Sequence, residues 1–134
     1  MIKEGLVIAG IVAAPAALYF ALGEGRQGNE SASSAFAVPD FSARAFEGRE
    51  FFADACGICH GSYGEGTDRG PPLVHMVYAP DELSDSAFRR AVHDGAVARH
   101  WPFGDMPAMA GLSDGKVEAM LGFIREMQKA NNIY

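Results

Sequence analysis

Residues 56–60 read Cys56-Gly57-Ile58-Cys59-His60, and they contain both cysteines of the 134-residue chain. Two thiols three positions apart are no disulfide framework, which needs more cysteines at wider spacing. Their chemistry is therefore local. A redox pair of the Cys-x-x-Cys kind sits in a βαβ setting, and no strand pattern flanks this segment. A zinc site needs two further ligands at metal spacing, but there is no third cysteine and His75, His93 and His100 are scattered. With a histidine following directly, the pattern is the attachment sequence for a c-type haem. Each member has a task in that chemistry. Two thiols add across two vinyl groups as thioethers, one short turn brings both within reach, and the neighbouring imidazole serves the iron as proximal ligand. Cys56 and Cys59 are the expected attachment points of one covalent haem, and His60 the expected axial ligand.

The residues on either side predict an all-α domain. A helix is expected over 43–55, with Ser42 as N-cap and Phe46, Phe51 and Phe52 as apolar contacts. A second is expected over 84–93, where Phe88, Ala91 and Val92 form the apolar side and Gly95 is the stop. A third is expected over 114–130, capped by Ser113, with Val117, Met120, Leu121, Ile124 and Met127 at helical spacing. Two long irregular stretches, 61–83 and 95–112, lie between them. Loops of that length in a small domain usually wrap something functional. A domain of roughly a hundred residues has a thin core, and a haem would give it a large apolar plate to pack around.

From Gly48 to the C-terminus the chain resembles small class I monohaem cytochromes c. The resemblance lies in an ordered set: GREFFADACGICHG over 48–61, GEGTDRGPPL over 64–73, MPAMAGLS over 106–113, and a final amphipathic helix with Phe123. It implies a cytochrome c-like domain of three or more helices around one haem. In that family the first and last helices cross, at positions that Gly48 and Phe123 match. It further implies a Pro71 carbonyl that accepts from the haem histidine, with Leu73 in the same turn, an interaction that would fix the ring and raise its basicity. Met106, in Gly104-Asp105-Met106-Pro107, matches the family's axial methionine, and a thioether suits both iron oxidation states. Met109 is the rival, followed by His100, His75 or an open position. Met120 and Met127 read as core residues. Trp101 and Phe103 are expected to line the pocket, with the indole N–H available to a haem propionate and Arg99 or Arg89 offsetting its charge. His93 falls on the second helix, with a surface or capping role expected.

Residues 5–22 (GLVIAGIVAAPAALYFAL) carry no charge. As a helix they would span about 27 Å, enough to cross a bilayer core. Residues 1–23 are read as an uncleaved signal anchor, 24–40 as a flexible linker and 41–134 as the haem domain. The alternative is a cleaved signal peptide, with Ala35-Phe36-Ala37 as the cleavage site. Either reading exports the domain, giving a bacterial inner-membrane protein with its haem in the periplasm, or a soluble periplasmic one. Gly5, Ala9, Ala13, Ala17 and Ala21 form a ridge of small side chains that would suit a transmembrane helix partner.

The formal net charge is −6, which excludes a nucleic-acid role and favours partners with a basic docking patch. With Cys, Cys, His and Met all committed, the iron keeps no open position for turnover. The expected function is single-electron transfer and not catalysis, with a respiratory or photosynthetic membrane complex as donor and as acceptor. A fixed haem c subunit of a larger oxidoreductase is the alternative. A haem sensor or peroxidase would require a labile or missing Met ligand.

Overall fold

The computed structural model of the chain describes residues 36–134. The expected anchor, its ridge of small residues, the Ala35 end of the candidate cleavage site and most of the expected linker lie outside the described residues. Four helices are present in the described part: α1 (Ala43–Ala55), α2 (Gly57–His60), α3 (Asp85–Asp94) and α4 (Asp114–Ala130), with a 3-10 turn at Met76–Tyr78. The only pairing of extended backbone among the described residues is an isolated antiparallel bridge between Ala96 and Met106. No helix among the described residues is long and apolar enough to cross a membrane.

The helix boundaries follow from short side chains that end the alternatives. Ser42 accepts from the Ala45 amide at 3.2 Å and starts α1, and Ser84 accepts from Ala87 at 3.3 Å and starts α3. Gly95, at φ +80°, ends α3 in a conformation that residues with a Cβ rarely adopt. At α4 the expectation needs correcting. Ser113 holds the N-cap position but its hydroxyl makes no capping bond; its carbonyl accepts from Lys116 and Val117.

The core is the seam between α1 and α4. The inward stripe of α1 is Ala45, Gly48 and Phe52, spaced by three and four residues, and all three are buried. Phe46 is one position round the helix from that stripe. It is 54% exposed, contrary to the apolar contact expected of it, and lies under the Arg49 guanidinium instead. A Cβ on Gly48 would stand 2.0 Å from the Ala119 carbonyl oxygen, so only a residue without a side chain lets the two backbones approach this closely. Across the crossing, Phe123 is fully buried, with its ring 5.3 Å from Phe41 and 5.4 Å from Phe52. Met120 and Met127 are buried core residues, as their spacing implied.

The start of α1 is tied to the far end of α4. Ser42 donates to Glu126 through both its amide (3.0 Å) and its hydroxyl (2.6 Å). The Ala37 amide and carbonyl are matched by the Asn131 side-chain amide at 2.8 Å each. Ala37, inside the stretch read as linker, is thus fixed against the domain.

Candidate functional site

The two cysteines sit at the junction of α1 and α2. Cys56 ends α1, and its carbonyl accepts from the His60 amide at 2.9 Å, so the five residues form one continuous turn. Cys56 is buried, Cys59 is half-buried, and no disulfide joins them. Burial, reinforced by the neighbouring Cys59, pushes the Cys56 thiol up to about 11.

His60 is 8% exposed and held through one ring nitrogen. Its Nδ1 lies 2.8 Å from the Pro71 carbonyl oxygen. A carbonyl only accepts, so Nδ1 carries the proton and Nε2 is left with its lone pair and no protein partner among the described residues. Burial pulls the imidazole pKa down and the Pro71 contact partly opposes it. Leu73, two residues beyond Pro71, packs against the core, and its amide donates to the Gly64 carbonyl at 2.8 Å.

The second irregular stretch carries Met106. Its backbone is fixed twice by the bridge to Ala96, with N···O distances of 2.8 and 3.0 Å. Gly95 makes this possible, because a Cβ there would lie 2.6 Å from the Met106 carbonyl oxygen. Asp105 adds a hydrogen bond from the Ala98 amide at 2.8 Å. Met106 is half-buried and is not among the side chains packed on the core, whereas Met109 is. The Met109 amide is held by the Val92 carbonyl at 2.8 Å. His100 is exposed; His75 is half-buried, and its Nδ1 accepts from the Val77 amide at 3.2 Å.

Trp101 forms an aromatic cluster with His75 (5.3 Å, edge-on) and Phe103 (6.4 Å, stacked). Its indole Nε1 is the buried side-chain polar atom without a hydrogen-bond partner among the described residues. Burial raises the pKa of the Tyr78 phenol. A buried donor left unpaired costs about 1–3 kcal/mol, so the position calls for an acceptor. Arg89 pairs with Glu118 across α3 and α4. His93 is exposed and pairs with Asp114 at 3.3 Å, a surface role.

These residues fit a covalently held haem. The two thiols share a turn, the imidazole presents Nε2, a thioether stands on a pinned loop, and a buried indole N–H lacks the acceptor that a carboxylate would provide. Two polar side chains that anchor the loop carrying Pro71 escaped the sequence reading: Gln128, which donates to the Leu73 carbonyl, and Arg125, which donates to Gln128. Only Gln128 left a usable signal, as an amide at an apolar-stripe position four residues after Ile124.

Comparison with known proteins agrees with this chemistry. The family described as Cytochrome c matches residues 45–128. The chain is similar to lupanine 17-hydroxylase [cytochrome c] from a Pseudomonas species, at 34% identity over 119 residues. That match covers 81% of this chain and 16% of the relative, so the chain spans a small part of that protein's length. No solved structure matches the chain at a significant level.

Proposed function

The chain belongs to the cytochrome c family, and from that premise we propose that it is a membrane-tethered electron carrier whose single haem c is ligated by His60 and Met106. Covalent haem c and electron transfer are the family's own properties. When bound, the haem supplies an iron that accepts and releases one electron. Cys56 and Cys59 would hold it as thioethers. The Pro71 carbonyl holds the Nδ1 proton of His60 and so orients Nε2 and raises its basicity. Met106 offers a soft ligand that tolerates both oxidation states, from a loop whose backbone is already fixed. Trp101 offers its unpaired N–H to a propionate, whose charge would otherwise be poorly placed at a half-buried site.

The observation that carries this reading is the buried His60 ring locked by Pro71 at the end of the Cys-x-x-Cys turn. For the second ligand, Met109 is engaged with the core and Met106 is not. The test is the weak charge-transfer band of ferric His/Met-ligated haem. Met106→Leu abolishes it and Met109→Leu keeps it; the reverse result refutes the ligand assignment.

Support for the tether is the uncharged run 5–22 at the N-terminus, which would place the haem domain on the periplasmic side of a bacterial inner membrane. Tethering raises the local concentration of the domain near membrane partners. A second reading is favoured by the match to a short portion of a much longer hydroxylase: a fixed haem c subunit delivering electrons from a partner oxidoreductase. Extraction in mild detergent separates the two. Stable co-purification with other subunits supports the fixed subunit, and isolation alone supports the tethered carrier.

A further inference from the structure

The stretch from residue 61 to 83 carries Pro71 and Tyr78 but has almost no regular secondary structure, so its carbonyls must find partners elsewhere. Three of them are served from α4. Gln128 is 1% exposed and among the largest fully buried side chains. Its Nε2 donates to the Leu73 carbonyl at 2.9 Å and the Tyr78 carbonyl at 2.8 Å. Its Oε1 accepts from Arg125 Nη1 at 2.7 Å. Both donors and the acceptor are used, which is what makes burial of a primary amide tolerable. Arg125 extends the arrangement. Nη1 also reaches the Tyr78 carbonyl at 3.1 Å, Nη2 the Leu83 carbonyl, and Nε the Asp85 carboxylate at 3.0 Å. Carbonyls at 73, 78 and 83 are thereby anchored to one turn of α4.

One of these anchors sits beside a group of the haem site. Leu73 is two residues from Pro71, whose carbonyl holds His60, and its own amide is fixed to Gly64. The surrounding positions of α4 are filled by Met120, Ile124 and Met127, all fully buried, so filling space would not call for an amide at 128. We propose that Gln128 is a positioning residue for the haem site, which fixes the Pro71 carbonyl against His60 by holding the carbonyls of residues 73 and 78. The proposal rests on His60 being the axial imidazole.

Removing the amide should let the Pro71 carbonyl drift. A weaker Nδ1–H···O contact makes the imidazole less basic, stabilises the ferric state less and raises the reduction potential. The experiment uses the full-length, haem-loaded protein with Gln128→Met and Gln128→Glu. By NMR, solvent exchange of the His60 Nδ1 proton should accelerate about tenfold or more in Gln128→Met, the scale of one lost hydrogen bond. The potential should move upward, while haem staining and the Met106-dependent band are retained. Gln128→Glu, whose carboxylate beside Arg125 only accepts, should lose both carbonyl contacts and behave as Gln128→Met does. A lower unfolding midpoint with proton exchange and potential at wild-type values would overturn the proposal and leave Gln128 a structural core residue.

Should Gln128→Met fail to accumulate, the wild-type protein decides. In mild denaturant the Gln128 side-chain amide protons and the His60 Nδ1 proton should exchange through one opening, with the same denaturant dependence. Unequal dependence overturns the proposal. Failure of the haem reading would appear separately, as wild-type protein without covalent haem.

Discussion

Gly48→Ala probes the contact on which the whole haem scaffold is built. The added methyl would lie 2.0 Å from the Ala119 carbonyl oxygen, 2.4 Å from its carbon and 2.9 Å from the Met120 nitrogen, all of them backbone atoms that no rotamer change can move. Restoring ordinary van der Waals contact requires α1 and α4 to part by about 1.5 Å, more than the roughly 1 Å gap that already forfeits up to half of each dispersion contact across it. Phe52, Phe123, Met120 and Ile124, the largest fully buried apolar side chains here, lie in that seam. Overpacking of this kind costs about 1–3 kcal/mol, and loosening four large side chains adds about as much again. Against this, alanine is the better helix former by about 1 kcal/mol. The net expectation is a loss of about 3 kcal/mol, a large part of the roughly 5–15 kcal/mol that holds a domain together. Urea unfolding of the haem-loaded protein, followed by helix ellipticity, should show the midpoint falling by about 1.5 M at an ordinary urea slope. Glu47→Ala, at the exposed neighbouring position, should leave it nearly unchanged. A midpoint at or above wild type in Gly48→Ala would mean that helix propensity outweighs the steric conflict and that the tight crossing is not what fixes these helices.

Two further outcomes follow from individual contacts. Ser42→Ala removes the N-cap of α1 and the hydroxyl bond to Glu126, and should cost about 1–2 kcal/mol in the same urea assay; a neutral result would show that the cap is satisfied by solvent. The Tyr78 phenol is raised above its ordinary value of 10.0 by burial, so the folded state favours its neutral form. That contribution is intact below pH 10 and is lost as pH rises through the folded value, because the unfolded chain ionises first. Wild type should therefore lose stability relative to Tyr78→Phe above about pH 10, and parallel pH–stability curves for the two proteins would contradict this.

Chemistry confined to neighbouring residues was legible without coordinates. The attachment turn places Cys56, Cys59 and His60 within five positions, so their spacing alone carries the requirement of two thioethers and one ligand. Helix ends at Ser42, Ser84 and Gly95, and the apolar period of α4, are likewise set by interactions that reach three or four residues along the chain. Resemblance supplied Pro71 and Met106, which lie in turns that no period describes.

Tertiary structure alone decided the rest. Gln128 reads as an interruption of an apolar stripe until the chain returns and brings carbonyls from 50 and 55 residues away onto its amide. Phe46 reads as a core residue until the crossing at Gly48 fixes which side of α1 faces α4. The unpaired indole of Trp101 and the pairing of Arg89 with Glu118 depend on which irregular segments lie side by side. Local propensity and periodicity act over a turn or two of chain. Hydrogen-bond partners for irregular backbone, and the side of a helix that is buried, are settled only by the packing of segments distant in sequence.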